Sequence, residues 1–529
     1  MNALLLMLAL TLQPSQLDAD GWTVLTPSAD SRMIYVSSSA GNDANDGLTP
    51  ATPKATIEAG LLLLRNQQPD WLMLKCGDTF STASSWRLDR TGGPAADSKM
   101  VITSYGTGAR PVLKNGRFWY GSNTKPLTHF AMVGLDFYAS YRDPSSPDFQ
   151  QGTSAPFAVQ FLLGDSAATG SDDWLFENNR FRYYVSNVQL YGNQGVAGVQ
   201  TAVNGITFRR NSVTNAEEFG LQLAYSSNAL IEQNVFDRNG WEHRTVQLHN
   251  VYVTGASHMT VRNNLFSRGG NMSLKLSGNK QSSMTDFIVE DNVFHRGMVG
   301  FGHGVIDGSW DTQTTYSHDR GVVRNNVLTK PGKTLPYNAT TTQAIGFNIG
   351  NLNDVLFESN IFAHNDEIQS GGQIFFFADP AIERSANITA RNNVVWNWLS
   401  NQHNATGSYM YNDQYVTNFT QENNLPEDKL YNDPSRTLGS YNATCGGPAD
   451  DDAFIARATE MQKGDWDTRY TAAEFNKYMR FGFLVVTPEP NPTPDPVPDP
   501  EPVPVPTPAI DRLLAGLRAA AAAFLEGSE

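Results

Sequence analysis

The stretch VRNNLF, Val261–Phe266, decides the fold, because the chain repeats it. FENNRF (176–181), FRRNSV (208–213), IEQNVF (231–236), VEDNVF (289–294), VRNNVL (323–328), FESNIF (357–362), ARNNVV (390–395) and QENNL (421–425) follow the same pattern. Its fixed residues are Asn179, Asn211, Asn234, Asn264, Asn292, Asn326, Asn360, Asn393 and Asn424. They are separated by 32, 23, 30, 28, 34, 34, 33 and 31 residues. A self-similar period of about 20–50 residues denotes a solenoid, a propeller or an array. A β-branched or aromatic residue follows most of these asparagines. Short alternating runs such as GLQLAY, TVQLHN and SLKLSG come later in the unit, so the units read as strands. No amphipathic helix pattern separates them, which disfavours βαβ layers and leucine-rich horseshoes. The expected fold is all-β, a parallel β-helix whose coils stack about 4.8 Å apart. An Asn at each coil's turn then hydrogen-bonds the backbone of its neighbours as a ladder, a structural role and not a catalytic one.

At 529 residues the chain exceeds one ordinary globular domain, but a solenoid grows without a single closed core. The formal charge of −15 argues against nucleic acid as a general partner. It leaves room for a polyanionic substrate held by a local basic strip. Residues 3–12, ALLLMLALTL, are too short an apolar run to span a bilayer. With the polar break and Ala19 after them they read as a secretory signal cut near Ala19–Asp20, which would place the protein outside the cell or on its surface. A buried N-terminal strand or helix is the alternative. No other segment is apolar and long enough to cross a membrane. Cys76 and Cys445 are expected to be two buried thiols, because the ends of a long solenoid lie far apart.

The organisation follows from composition. After the signal (1–19) come an N-terminal cap and first coils (20–127), the repeated coils (128–430) and a segment that caps the C-terminal end or packs along its flank (431–487). A proline-rich semi-rigid spacer (488–508) leads to an Ala/Leu-rich helix (509–529) suited to a protein partner or to self-association, with a purely incidental tail as the alternative. A short helix from Thr56 through Arg65, burying Leu61, Leu62 and Leu64, is expected to close the first coil. Asp43, Asn45 and Asp46 in GNDANDG suit either calcium or a turn held by Asx hydrogen bonds, and the turn is favoured.

YVS-x-x-x-GND-x-NDG followed by TP-x-x-P-x-x-TI-x-A (35–59), then PDWLMLKCGDTF (69–80) and VITSYGTGARPVL (101–113), resembles the start of secreted proteins of the pectate-lyase-like superfamily. The resemblance covers roughly residues 33–430. It implies a right-handed parallel β-helix solenoid with short capping helices.

Chemistry is sought on the outward faces. Laying NVQLYG, FGLQLAY, TVQLHN, MSLKLS, GFGHGV and IGFNIG over one another gives the outward file Gln189, Gln222, Gln247, Lys275, His303 and Asn348. A Lys and a His on successive coils, about 5 Å apart, would converge on one sugar ring as general base and acid. His249, two residues after Gln247, is expected on the same face. In GWEHRTVQLHN (240–250), Trp241 is a groove aromatic, and Glu242 and Arg244 would hold a uronate or order a neighbour. A second file lies four residues after the Asn: Arg238, Arg268, Arg296, Lys330 and His364. Stacked cations repel unless acids such as Asp237, Glu242, Glu290 or Asp307, or a polyanionic chain, lie among them.

In the alginate-lyase and chondroitinase-B-like branch of the superfamily, a Lys in such a strand is the base. The resemblance places Lys275 of SLKLSG there, with His303 where that branch carries an Arg acid. It also implies calcium, for which Glu217, Glu218 and Glu242 are the available ligands. Without calcium, Arg244, Arg268 or Arg296 must stabilise the enolate-like intermediate. The activity expected is β-elimination on an acidic polysaccharide. The alternatives are a glycoside hydrolase using Asp307 and Asp311, and a non-catalytic adhesin or spike displayed through the spacer, with Trp241, Trp310, Tyr252 and Tyr411 lining its groove.

Overall fold

The computed structural model describes residues 16–486, apart from 83–84, 123–124, 164–169, 193–202, 242–247, 279–282, 303–317, 332–344, 366–373, 378–384, 399–415 and 426–429. The apolar run 3–12, the proline-rich spacer and the last helix lie outside the described residues.

Every ladder between named strands is parallel, and each coil contributes up to three strands. One coil shows the plan. Met272–Ser277 lies in what we call the groove sheet, Met284–Glu290 in the charge sheet, and Val293–His295 in the flank sheet. Between the charge and flank strands sits a two-residue turn, Asp291–Asn292. Asp291 is left-handed at φ 56°, as is the residue before each of the other repeat asparagines. The residue four after the Asn turns the chain again: Arg238, Arg268, Arg296, Lys330 and His364 all have φ between 46° and 61°. The cation file of the sequence is therefore a corner of the solenoid.

The Asn ladder forms as the repeat predicts. From Asn179 to Asn393, each Asn donates Nδ2–H and its own backbone N–H to Oδ1 of the Asn one coil on, at 2.9–3.1 Å. Nδ2 also donates to a carbonyl of the preceding coil, such as Ile231 O from Asn264 at 2.9 Å. Eight of the nine, from Asn179 through Asn393, are essentially buried. Without this pairing each would carry the cost of an unsatisfied buried amide.

Inside the flank sheet, the residue two after the Asn points into the core. Phe236, Phe266 and Phe294 stack with centroids 5.1 and 4.8 Å apart, near parallel. The residue before it points the other way and is also apolar: Val235, Leu265, Val293, Val327, Ile361 and Val394. The C-terminal segment covers that outer strip. Its helices α2 (Leu438–Thr444), α3 (Asp451–Glu460) and α4 (Ala472–Gly482) bury Leu438, Phe454, Ile455, Phe475 and Met479 against it. Of the two placements expected for this segment, packing along the flank is the one found.

In the charge sheet, the residue two before the Asn gives a second ladder, built of charges. Glu177, Arg209, Glu232, Arg262, Glu290, Arg324, Glu358, Arg391 and Glu422 are register partners in succession, and the sign alternates at every coil. Pairing any coil with the next but one would set like charge against like charge, so the ladder disfavours a skipped coil.

At the N-terminal end, helix α1 runs Ile57–Leu63. It buries Leu61, while Leu64 just past its end is buried too. Leu62 is 77% exposed, contrary to expectation, because it points away from the first coil. Gly60 lets the helix sit down: a Cβ there would meet Leu72 Cδ1 at 2.6 Å and Val36 Cγ2 at 2.7 Å. Asp43 accepts from the backbone N–H groups of Ala55 and Thr56 at 2.9 Å, and Asp46 from Leu48 N–H at 3.0 Å, so GNDANDG is the Asx-type turn. Gln16–Val24 forms a small hairpin, with Asp18 Oδ1 accepting from Trp22 N–H at 2.8 Å. This hairpin spans the point at which a cut was expected. Cys76 and Cys445 are unpaired as expected, though half-buried and not buried.

Candidate functional site

The groove sheet carries the candidate site. Register partners run Trp119, Gln160, Gln189, Gln222, Tyr252, Lys275, Gly300 and Asn348. Alternation in each strand turns these outward, since Val188, Leu190, Leu221, Leu223, Val251, Val253, Leu274 and Leu276 on either side are in the core. Gln160 Nε2–H donates to Gln189 Oε1 at 2.9 Å, and Gln189 Nε2–H to Gln222 Oε1 at 2.7 Å. Tyr252 follows, half-buried, and the Lys275 ammonium stands 5.7 Å from its ring centroid. A second outward row beside the first holds one aromatic ring, one aliphatic side chain and otherwise small residues: Gly121, Leu162, Tyr191, Ala224, Thr254 and Ser277. Burial pushes the Tyr191 phenol up, with Tyr252, Tyr225 and Glu218 adding to it, so it is a neutral donor. Among the described residues, neither row contains a carboxylate.

Three expectations are corrected here. Tyr252, not Gln247, stands between Gln222 and Lys275, because the strand is His249–Ser257 and its VYVT alternation, not that of TVQLHN, continues the row. Gly300, not His303, is the register partner of Lys275, because the strand is Met298–Phe301. A bulge between Met272 and Leu274 shifts the pairing there, a device often found next to functional sites. The register partner of Lys275 on the next coil is thus a glycine; Met272 lies over Gly300, where a Cβ would meet its Sδ at 2.2 Å. His249 faces inward, 1% exposed, with its parity shared by Val251 and Val253. Its ring lies 5.5 Å from Tyr252 and 6.0 Å from Phe219. Burial, and behind it the charge of Lys275, holds its pKa far below the ordinary value. The imidazole is neutral, and its Nδ1 has no partner among the described residues. It supports Tyr252 and Lys275 from beneath and does not itself reach the groove. Glu242, Arg244, Gln247, His303, Asp307, Trp310, Asp311 and Tyr411 lie outside the described residues.

The cation file is engaged elsewhere. Arg268 pairs with Asp237 at 2.6 Å and with Asp452 at 3.3 Å. Arg296 pairs with Asp452 at 2.8 Å, and Lys330 with Asp451 at 2.7 Å. His364 Nε2 is 2.6 Å from Arg436 O. The anions that offset these cations are therefore Asp237, one of the acids expected there, and the aspartates opening helix α3, and Arg268 and Arg296 are not brought to Lys275. Arg238 is exposed at the same corner, and Trp241 Nε1–H donates to Asn215 O at 3.3 Å. Glu217 is ion-paired with Arg142, and Glu218 accepts from Ser186 Oγ at 3.3 Å. With Glu217 neutralised by an arginine, this pair does not fit calcium. No group of three or more His, Cys, Asp or Glu side chains suited to a metal occurs among the described residues. Nor is any described helix long and apolar enough to cross a membrane.

The groove residues missed from sequence are Trp119, Gln160 and Tyr191. Their signal was present in RFWYG, AVQFL and VQLYG, but Trp119 and Gln160 precede Asn179, where the Asn motif that fixes register begins, and Tyr191 lies in the second outward row, two places beyond the file through Gln189.

The family described as right handed beta helix region matches residues 167–338. No curated protein matches the sequence. Among solved structures, a lacto-N-biosidase from Eubacterium ramulus is 13% identical, over 75% of this chain and 68% of that one, with a TM-score of 0.44. XylC in complex with xylose is 9% identical over 76% and 86%, at 0.45. A rhamnogalacturonan lyase is 12% identical over 74% and 87%, at 0.39. The ladders and the matched region together make this chain a right-handed parallel β-helix.

Proposed function

We propose that this protein is a secreted polysaccharide lyase acting on a uronate-containing polymer bound along the groove sheet. One observation carries the reading. In a chain of net charge −15, the described outward row of the groove sheet presents amides, aromatic rings and the Lys275 side chain, and no carboxylate among the described residues. Hydrolysis of a glycosidic bond calls for a pair of carboxylates. Elimination calls for a base beside the acidic proton and donors for the developing enolate.

Lys275 acts as the base in this reading. In its unprotonated form its amine takes the proton from the carbon next to the uronate carboxylate and becomes the ammonium, and the electron pair of the broken C–H bond forms the new carbon–carbon double bond. The bond to the 4-linked oxygen breaks, and the departing oxygen takes a proton from a general acid, for which His303 is the candidate. The Tyr252 ring is the floor against which the sugar lies. Gln222 and Gln189 donate to hydroxyls further along the chain. The products are a 4,5-unsaturated uronate end and a new reducing end. No step runs through calcium.

The test is ultraviolet absorbance of unsaturated uronate ends during incubation with polyuronates, with and without calcium. Wild type should give a rising trace, and Lys275→Ala none while its thermal midpoint stays unchanged. A flat trace with new reducing ends refutes elimination. No product of either kind refutes catalysis.

A further inference from the structure

The row does not end at the candidate reaction centre. Five register steps, Lys275 to Tyr252, Gln222, Gln189, Gln160 and Trp119, lead along the solenoid axis to a second cluster. At about 4.8 Å per step this is about 24 Å from Lys275. There the half-buried Trp119 indole lies across Gly121, where a Cβ would meet the ring at 2.6 Å. Two guanidiniums stand over the ring: Arg87 at 4.7 Å from its centroid and Arg117 at 5.8 Å. Arg87 is the register partner of Trp119 and shares its charge with Asp89 at 2.6 Å. No carboxylate among the described residues pairs with Arg117.

We propose that Trp119 and Arg117 form a distal anchoring subsite for the same acidic polysaccharide, a proposal that rests on the function proposed above. An aromatic face with a cation above it suits a uronate: the ring takes the apolar face of the sugar, and the guanidinium takes the carboxylate. An extended chain of 4-linked pyranoses advances by about one strand spacing per unit. At one sugar per coil, a chain of about six units reaches from Lys275 to the anchor, both ends included. The three glutamine amides between them form a continuous polar floor without charge, matching hydroxyl contacts at the intermediate positions. The distal contact selects for chain length, because only a polymer long enough to reach both clusters gains from both.

The experiment uses size-defined polyuronate oligosaccharides, two to eight units long, and the full chain. Calorimetric binding is measured on Lys275→Ala, alone and combined with Trp119→Ala or Arg117→Gln, so that affinity is read without turnover. Affinity on the Lys275→Ala background should rise steeply as length reaches about six units. Trp119→Ala should remove that gain, a loss of about tenfold for the longest oligomers, and leave dimers and trimers unaffected. Arg117→Gln, which keeps the fold and the ring, should lose most of the gain with acidic oligomers. With neutral ones of the same length it should lose nothing. An equal effect at all lengths, or none at any, overturns the subsite, as does failure of every oligomer to bind. If binding shows the length dependence while wild type yields no unsaturated ends, the subsite stands and the lyase reading falls.

Discussion

Asn264→Ala tests the ladder on which the coils depend. Asn264 Oδ1 accepts from the backbone N–H and the Nδ2–H of Asn234, both at 3.0 Å. Its own Nδ2 donates to Ile231 O and to Asn292 Oδ1, both at 2.9 Å. Alanine removes all four bonds and leaves the buried Asn234 N–H with no acceptor. Asn234 Nδ2 keeps its bond to Phe208 O at 2.8 Å, and Asn292 Oδ1 keeps the backbone N–H of residue 264 at 3.0 Å. One fully orphaned donor costs about 1–3 kcal/mol, and each weakened group about 0.5–1.5 kcal/mol, so a loss of about 3–4 kcal/mol is expected. Asn424, half-exposed at the last turn, makes a comparable set of bonds, accepting twice from Asn393 and donating to Ala390 O. Water can replace it there, so Asn424→Ala should cost about 1 kcal/mol. The assay is urea unfolding followed by tryptophan fluorescence, with hydrogen exchange read at the Asn234 amide. An Asn264→Ala midpoint no lower than that of Asn424→Ala, with Asn234 still protected, would refute the reasoning.

Three further outcomes are expected. Glu290→Arg sets a third cation between Arg262 and Arg324, where Glu290 now accepts from Arg324 at 2.6 and 2.8 Å. It should cost about 1 kcal/mol at low salt and less at high salt, and a salt-independent loss would remove charge alternation as the cause. His295, fully buried, has its pKa pushed down to about 3 chiefly by burial, only partly offset by Asp451. The unfolded chain takes up that proton below about 6.5 and the folded one refuses it, so stability is full above about 6.5 and falls as pH drops towards 3, by about 2 kcal/mol at pH 5. His249 acts in the same direction. His295→Asn, which keeps a polar atom near Thr329 Oγ1, should flatten this slope, and an unchanged slope between pH 7 and 5 would assign it elsewhere. Lys275→Arg, cationic but a poor proton acceptor, should retain oligosaccharide binding and lose turnover, whereas retained turnover would make Lys275 a charge clamp and not the base.

The coil was legible in the chain alone. An asparagine with a left-handed residue before it recurs nine times, and a core side chain two places after it eight times among the described residues, and each coil reads only its neighbours. The alternation of Glu177, Arg209, Glu232 and Arg262 was equally legible, two residues before each Asn. Three matters needed the tertiary structure. The row through Lys275 depended on register across loops of unequal length, where TVQLHNVYVT and MVGFGHGV each offer more than one alternating frame. A period of two cannot choose between such frames, and the bulge at Met272–Leu274 shifts the pairing again. The inward turn of His249 followed from that register. The fate of Arg268, Arg296 and Lys330 depended on Asp451 and Asp452, more than a hundred residues away, because an ion pair is set by proximity in space and leaves no periodic trace in the chain.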